Sequence, residues 1–186
     1  GESITIIEGE GLGNKLTISR KGEQLGTLGN GALDQQARTV AHTYHVPTRH
    51  QLTETVAVFV DTVRPAPHLV MVGGVHIAVA LTHMAKVLGY RTTVIDPRRA
   101  FGSADRFPHV DQLIQQWPQK AFEQVVLDGE TAVALLTHDP KIDDPALDAI
   151  LDTNVFYIGA LGSRRTHAKR IKRLQEKGYS QTIIDK

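Results

Sequence analysis

The sequence predicts an α/β protein: a doubly wound parallel sheet preceded by a small α+β unit. Three observations point there. From His68 onward, short apolar runs alternate with helix-like stretches, the grammar of strand–helix–strand units joined by right-handed crossovers. Two of those runs, "LVMV" (69–72) and "TAVALLT" (131–137), are continuously apolar rather than alternating, as strands covered on both faces are. Before His68 the chain reads as short β-type segments around one helix. Pro65 and Pro67 in "RPAPH" (64–68) disfavour helix before them, so the expected division is 1–64 and 65–186.

In the first part, "ITII" (4–7), "KLTIS" (15–19) and "QLGTL" (24–28) are predicted strands, the last two joined by a hairpin turn at Gly22. Gly29-Asn30-Gly31 turns the chain into a helix, because Ala32, Leu33, Ala37, Val40, Ala41 and Tyr44 give an apolar stripe at helical spacing. "TVAVFVDTV" (55–63) returns to strand through its β-branched residues.

In the second part, strand 69–72 leads into a helix over 77–88. Ile77, Leu81, Met84 and Leu88 share one face there, and Gly89 is the C-terminal stop. Strands follow at 91–96, 111–115, 131–137 and 155–159. A helix is predicted over 143–153 with Asp144 as N-cap and Pro145 at its first position. Another is predicted over 163–178, between Ser163 and Gly178.

Composition narrows the function classes. Hydrophobic residues at 41% and charged residues at 22% fit an ordinary globular protein, and a net charge of +1 gives no global attraction to nucleic acid or anionic membrane. The absence of cysteine excludes a disulfide, a thiolate nucleophile and a cysteine metal site, and a reducing cytoplasm is the expected location. No apolar run reaches the ~18–20 residues of a membrane span, and no signal peptide is visible. The chain opens at Gly1-Glu2-Ser3 without Met, is in a strand pattern by Ile4 and closes on Ile183-Ile184-Asp185-Lys186, so a fragment of a longer protein is expected.

Ligands of such sheets bind at the carboxyl ends of the strands, and four stretches fall there. In "GGVHIA" (73–78), Gly73 and Gly74 precede His76, and the helix start offers free N–H groups and a positive dipole end. Against the dinucleotide pattern G-x-G-x-x-G/A, Val75 occupies the second glycine's place, putting a side chain where pyrophosphate would press. In "VIDPRR" (94–99), Asp96 lies about 20 residues after Gly73, where such folds read a ribose hydroxyl; alternatively Asp96-Pro97 simply ends a strand. Arg98 suits an anion. In "LTHDPKIDDP" (136–145), Thr137, His138 and Asp139 follow a buried strand. His138 beside Asp139 suits a general base or ligand, or Asp139 caps local backbone. In "IGALGSRRTHAKR" (158–170), Gly162 and Ser163 feed a helix, and Arg164 and Arg165 in its first turn oppose the dipole, so they either meet an anionic partner or point away to solvent. The later Lys169, Arg170, Lys172, Arg173 and Lys177 read as a solvated face.

"LVMVGGVHIAVALTHMAKVLGYRTTVIDPR", "RFP" (106–108), "LTHDPKIDDPAL" and "FYIGALGSRRTHAKR" together resemble the XdhC/CoxI family, accessory proteins of xanthine dehydrogenase and related molybdenum hydroxylases. "GEGLGNKLTIS" and "GTLGNGALD" resemble its N-terminal domain more faintly. The resemblance implies a small N-terminal domain (1–64) and a Rossmann-like C-terminal domain (65–186). It implies that the protein binds molybdenum cofactor and delivers it, after sulfuration, to a molybdenum hydroxylase. The partners implied are a cysteine desulfurase and a molybdenum hydroxylase subunit, with a homodimer as the assembly. Two departures stand out: the family loop reads G-A-G-H where Val75 stands here, and Ala32 takes the place of a cysteine found in many members. The chain also stops before the glycine-rich C-terminal segment such proteins usually carry.

Three readings stay open on the residues alone. One is a cofactor-binding maturation factor whose ligand is held by Gly73, Gly74, His76, Asp96, Arg98, Thr137, His138, Asp139, Gly162, Ser163 and Arg164. A second is an NAD(P)-dependent oxidoreductase with Asp96 on the ribose and His138 moving protons. The third is a non-catalytic nucleotide-sensing module.

Overall fold

The structure is a computed structural model that describes residues 1–186 except Arg20, His42, Tyr44, His45, Val63 and Lys186. The chain divides into two compact units, Gly1–Pro65 and Ala66–Lys186.

The first unit contains β1 (Glu2–Glu8), β2 (Lys15–Ile18), β3 (Gln24–Gly26), α1 (Gly31–Ala41), β4 (Thr48–Gln51) and β5 (Ala57–Thr62). Its antiparallel sheet has the order β3-β2-β1-β5-β4. Alternation places Ile4 and Ile6, Leu16 and Ile18, and Val58 and Val60 on one face, where Leu33, Ala37 and Ala41 of α1 close over them. The hairpin glycine, Gly22, has φ +81, a conformation that favours glycine. Asn30 caps α1 by accepting from the Leu33 N–H at 2.9 Å. Tyr44, expected on the α1 stripe, lies outside the described residues. Strand β4 has no counterpart among the strands expected from the sequence. "TRHQ" holds no apolar residue, and it forms as an edge strand because β5 supplies the ladder on its one paired side.

The second unit contains β6 (His68–Val72), α2 (His76–Val87), β7 (Arg91–Ile95), β8 (Gln112–Ile114), α3 (Pro118–Phe122), β9 (Thr131–Leu135), α4 (Pro140–Ile150), β10 (Tyr157–Ala160), α5 (Arg164–Glu176) and α6 (Gln181–Ile184). The sheet is wholly parallel, in the order β10-β9-β6-β7-β8. The chain runs outward from β6 through β7 to β8, then crosses back to β9 and β10. The order therefore reverses between β6 and β9, the switch point at which such sheets hold ligands. Val70, Val72, Val133 and Leu135 face the cluster built with α3, α4 and α5, while Met71 and Val94 face the one built with α2. Burial on both faces explains the uninterrupted apolar runs.

Two sequence expectations need correction. Helix α4 starts at Pro140 with Asp139 as N-cap, not at Asp144; Asp139 accepts from the Lys141 N–H at 3.0 Å, and Pro145 lies inside the helix. A proline at the first helical position suits Pro140 as well as Pro145, and the N-cap side chain decides between them. The basic residues of α5 are also more than a solvated face. Arg170, Arg173 and Lys177 pair with Asp143, Asp144 and Asp148 of α4 at 3.2, 2.6 and 2.5 Å. These three pairs fasten α5 and its C-terminal end to α4.

Candidate functional site

The four stretches named from the sequence all follow strands at the carboxyl edge of the second sheet, and those after β6 and β9 flank the switch point. Gly73 leaves β6 with φ +111 and gives its N–H to the Ile95 carbonyl at 2.8 Å. A Cβ on Gly73 would lie 2.5 Å from Thr137 Cγ2, so the two strand ends meet there and only glycine fits. Gly74 is equally confined, because a Cβ would run into the Phe101 carbonyl and lie 3.2 Å from Phe107 Cε2.

Val75 is the N-cap of α2 and makes no side-chain cap hydrogen bond. Its side chain packs on the cluster of Met71, Ala78, Val94, Phe107 and Leu136, so it belongs to the packing under the loop. His76, the first helical residue, is exposed.

Asp96 is fully buried, and donors from the protein occupy both of its oxygens. Oδ2 accepts from the Gly74 N–H at 2.8 Å and from Arg98 Nη2 at 2.7 Å. Oδ1 accepts from the N–H and the Nε of Arg98, both at 2.9 Å. Burial pushes this carboxyl up, but the Arg98 bonds, the Gly74 N–H and the Arg98 charge outweigh it and hold it below the usual carboxylate range. Arg98 in turn lies 4.1 Å above the Phe101 ring. A carboxylate has about four lone-pair sites, and all four are used. The residue expected to read a ribose instead ties the glycine turn to the segment after β7.

Thr137 gives its hydroxyl to Asp143 Oδ1 at 2.5 Å and accepts from the Asp139 N–H at 3.1 Å. His138 is exposed with φ +62, a left-handed conformation uncommon for a residue with a side chain and concentrated at functional positions. No hydrogen bond joins His138 to Asp139 among the described residues. The oriented His–Asp pair is therefore absent from this geometry, and Asp139 serves as the α4 cap.

Ser163 caps α5 by accepting from the Thr166 N–H at 3.2 Å. Gly162 precedes it, and Arg164 opens the helix, exposed. Behind this turn lies Arg170, which the sequence places on the surface and the structure buries at 3% exposure. The signal was its place four residues before Leu174, on the inward face of α5. Arg170 Nη2 contacts Asp143 Oδ2 at 3.2 Å and the Leu161 carbonyl at 3.1 Å. Burial pushes the Asp143 carboxyl up despite the Thr137 hydroxyl and the Arg170 charge. One buried carboxylate thus connects Thr137, beside the first glycine turn, to Arg170, behind the second. Among the described residues, no group of three or more histidines, aspartates or glutamates is arranged to hold a metal ion. No helix among them is long and apolar enough to cross a membrane.

A parallel sheet with a glycine turn at its switch point and three further loops at the same edge defines the second unit as a domain of the Rossmann type. Residues 69–186 match the XdhC Rossmann domain, and the chain belongs to that family. It is 28% identical over 174 residues to a probable xanthine dehydrogenase subunit from Bacillus subtilis (strain 168), covering 94% of this chain and 50% of that protein. It is 33% identical over 117 residues to the molybdenum cofactor insertion chaperone PaoD of Escherichia coli (strain K12), covering 63% of this chain and 30% of PaoD. A crystal structure of a xanthine dehydrogenase from Bacillus halodurans has the same fold, with a TM-score of 0.73 at 20% identity over 92% of this chain and 50% of that one. The chain spans about half the length, or less, of the curated relatives it matches.

Proposed function

We propose that this chain binds molybdenum cofactor and delivers it, after sulfuration, to a molybdenum hydroxylase of the xanthine dehydrogenase type. The similarity to an insertion chaperone supports the role. The observation that carries the choice of ligand is the saturation of Asp96 by Gly74 and Arg98, which leaves no free carboxylate oxygen at the ribose position. Molybdenum cofactor carries a pterin and a phosphate and has no ribose in its basic form. The residues present fit such a cargo. Gly162 is bare, Ser163 starts a helix, and Arg164 and Arg165 have no acidic partner among the described residues. NAD(P) is the second reading. It is favoured by Gly73 at the switch point, but a dinucleotide would have to displace the Arg98 contacts to reach Asp96.

The partners we infer are a cysteine desulfurase, for sulfuration, and a molybdenum hydroxylase subunit, all in the cytoplasm. A homodimer is the assembly we infer. Ile77, Met84, Val87 and Leu88 are exposed along α2, and the helix's one charged residue, Lys86, is paired with Asp111 at 2.5 Å. Two copies of this uncharged stripe can meet without like-charge repulsion, whereas a helix apolar on its outer face needs cover. The test of function is reconstitution: cofactor-loaded chain added to cofactor-free hydroxylase should restore turnover, and free cofactor at the same concentration should restore less.

A further inference from the structure

Arg170 is buried, yet only one end of its guanidinium is used. Nη2 serves Asp143 and the Leu161 carbonyl, while Nε and Nη1 are buried with no hydrogen-bond partner among the described residues. Guanidinium carries five N–H donors, and leaving those of a buried cation unmet is costly. The unmet Nη1 has a direction: it lies 3.7 Å from the position a Cβ on Gly162 would take. Gly162 is not among the glycines with positive φ, so its backbone does not require glycine. A Cβ there would lie 3.3 Å from both Cβ and Cγ2 of Thr166, so a side chain would crowd Thr166 as well as take the space in front of Nη1.

Two further features converge on the same turn. The N–H groups of Gly162, Ser163, Arg164 and Arg165 have no acceptor among the described residues, at the start of a 13-residue helix. The positive charge of α5 is also unevenly spent. Arg170, Lys172, Arg173 and Lys177 each face an acidic partner, whereas Arg164, Arg165 and Lys169 face none among the described residues, and of these Arg164 and Arg165 stand in the turn where the helix dipole makes cations unfavourable. Because Asp143 already balances Arg170, these two arginines supply the net charge a doubly charged anion needs.

We propose that the turn from Leu161 to Ser163 is an oxyanion site for a single phosphate group, with Arg170 as its buried contact. The phosphate seats on the free N–H groups at the start of α5 and accepts from Nη1 across bare Gly162, while Arg164 and Arg165 close over it. Asp143 holds Arg170 in place and, through its bond to Thr137, connects this site to the first glycine turn. The inference rests on a ligand occupying the crevice but not on which ligand, so its test uses no molybdenum cofactor.

The test is a titration of the full chain with inorganic phosphate and with glycerol 3-phosphate, followed by amide NMR shifts at constant ionic strength. Saturable shifts centred on Gly162, Ser163 and Arg164 are expected. Gly162→Ala, which keeps every charge and fills the space before Nη1, should weaken binding at least tenfold while the melting temperature falls only by what its 3.3 Å contacts with Thr166 cost, and Gly162→Ala should still show the native far-UV spectrum. Arg170→Lys should weaken it similarly. Tighter binding of the monoester than of inorganic phosphate assigns the site to a ligand's phosphate, and the reverse order assigns it to free phosphate. Equal shifts with sodium chloride, or undiminished binding in Gly162→Ala, overturns the proposal. Failure of this phosphate test would count against this site alone and leave the chaperone reading standing.

Discussion

Arg98 grips Asp96 at both oxygens, Nε on Oδ1 at 2.9 Å and Nη2 on Oδ2 at 2.7 Å, and the freed edge of Oδ2 still accepts the Gly74 N–H. A carboxylate placed where dinucleotide folds read a ribose is here an internal brace. It holds the glycine turn after β6 to the segment after β7, over which Phe101 and Phe107 pack against Gly74.

Asp96→Asn should destabilise the second unit more than it changes ligand affinity. It removes one oxygen from a fully buried group and leaves Arg98 or Gly74 short of an acceptor, a loss of about 2–4 kcal/mol. Urea unfolding against ligand titration separates the two effects. The folded carboxyl lies below its usual range, so its contribution is present above the unfolded pKa of about 3.9 and is lost as pH falls through the folded value.

His68 gives a second pH dependence at the opposite end of the sheet. Its Nε2 lies 2.8 Å from Thr93 Oγ1 and its Nδ1 lies 3.0 Å from Arg91 Nη2, so the neutral ring is the form that fits. Burial, then the Arg91 charge, lowers its pKa to about 4. The folded state therefore binds fewer protons than the unfolded state between about pH 4 and 6.5. Stability should fall as pH drops through that window, by up to about 3 kcal/mol. Denaturant midpoints at pH 7 and pH 4.5 should differ in the native chain and differ less in His68→Gln.

Val75→Gly restores the letter of the dinucleotide pattern but removes a side chain that packs on Met71 and Val94. It should cost about 1–2 kcal/mol of stability and leave NAD(H) affinity unchanged. Calorimetric titration of both chains checks the second point.

Met84→Glu tests the inferred self-association. Met84 is 62% exposed, so the substitution should leave the melting temperature within a degree or two while converting a two-copy species to single chains. Sedimentation velocity reads the masses directly, and a native chain that is single at all concentrations would remove the dimer from the account.

The fold of the second unit was legible because doubly covered strands write themselves as uninterrupted apolar runs, as 69–72 and 131–137 do. Strand β4 was illegible because an edge strand paired on one side needs no apolar pattern, and "TRHQ" has none. Helix α3 was missed because five residues are too few to show a period. The start of α4 was ambiguous between two prolines, and the side chain of Asp139 resolved it. At the site, the glycines, Asp96 and Thr137 were legible as types at strand ends. What they do was not, because Asp96 meets its partners only when the segment after β7 folds back over Gly74. Arg170 was read as one more surface cation, since a run of basic residues hides the single member that points inward.

The central claim is tested most directly by titrating the full chain, under anaerobic conditions, with molybdenum cofactor released from a molybdenum hydroxylase. The account predicts saturable binding of one cofactor per chain that excess NAD(H) does not displace. Failure to bind the cofactor, together with an NAD(H) complex that Asp96→Ala abolishes, would contradict it and make Asp96 a ribose reader after all.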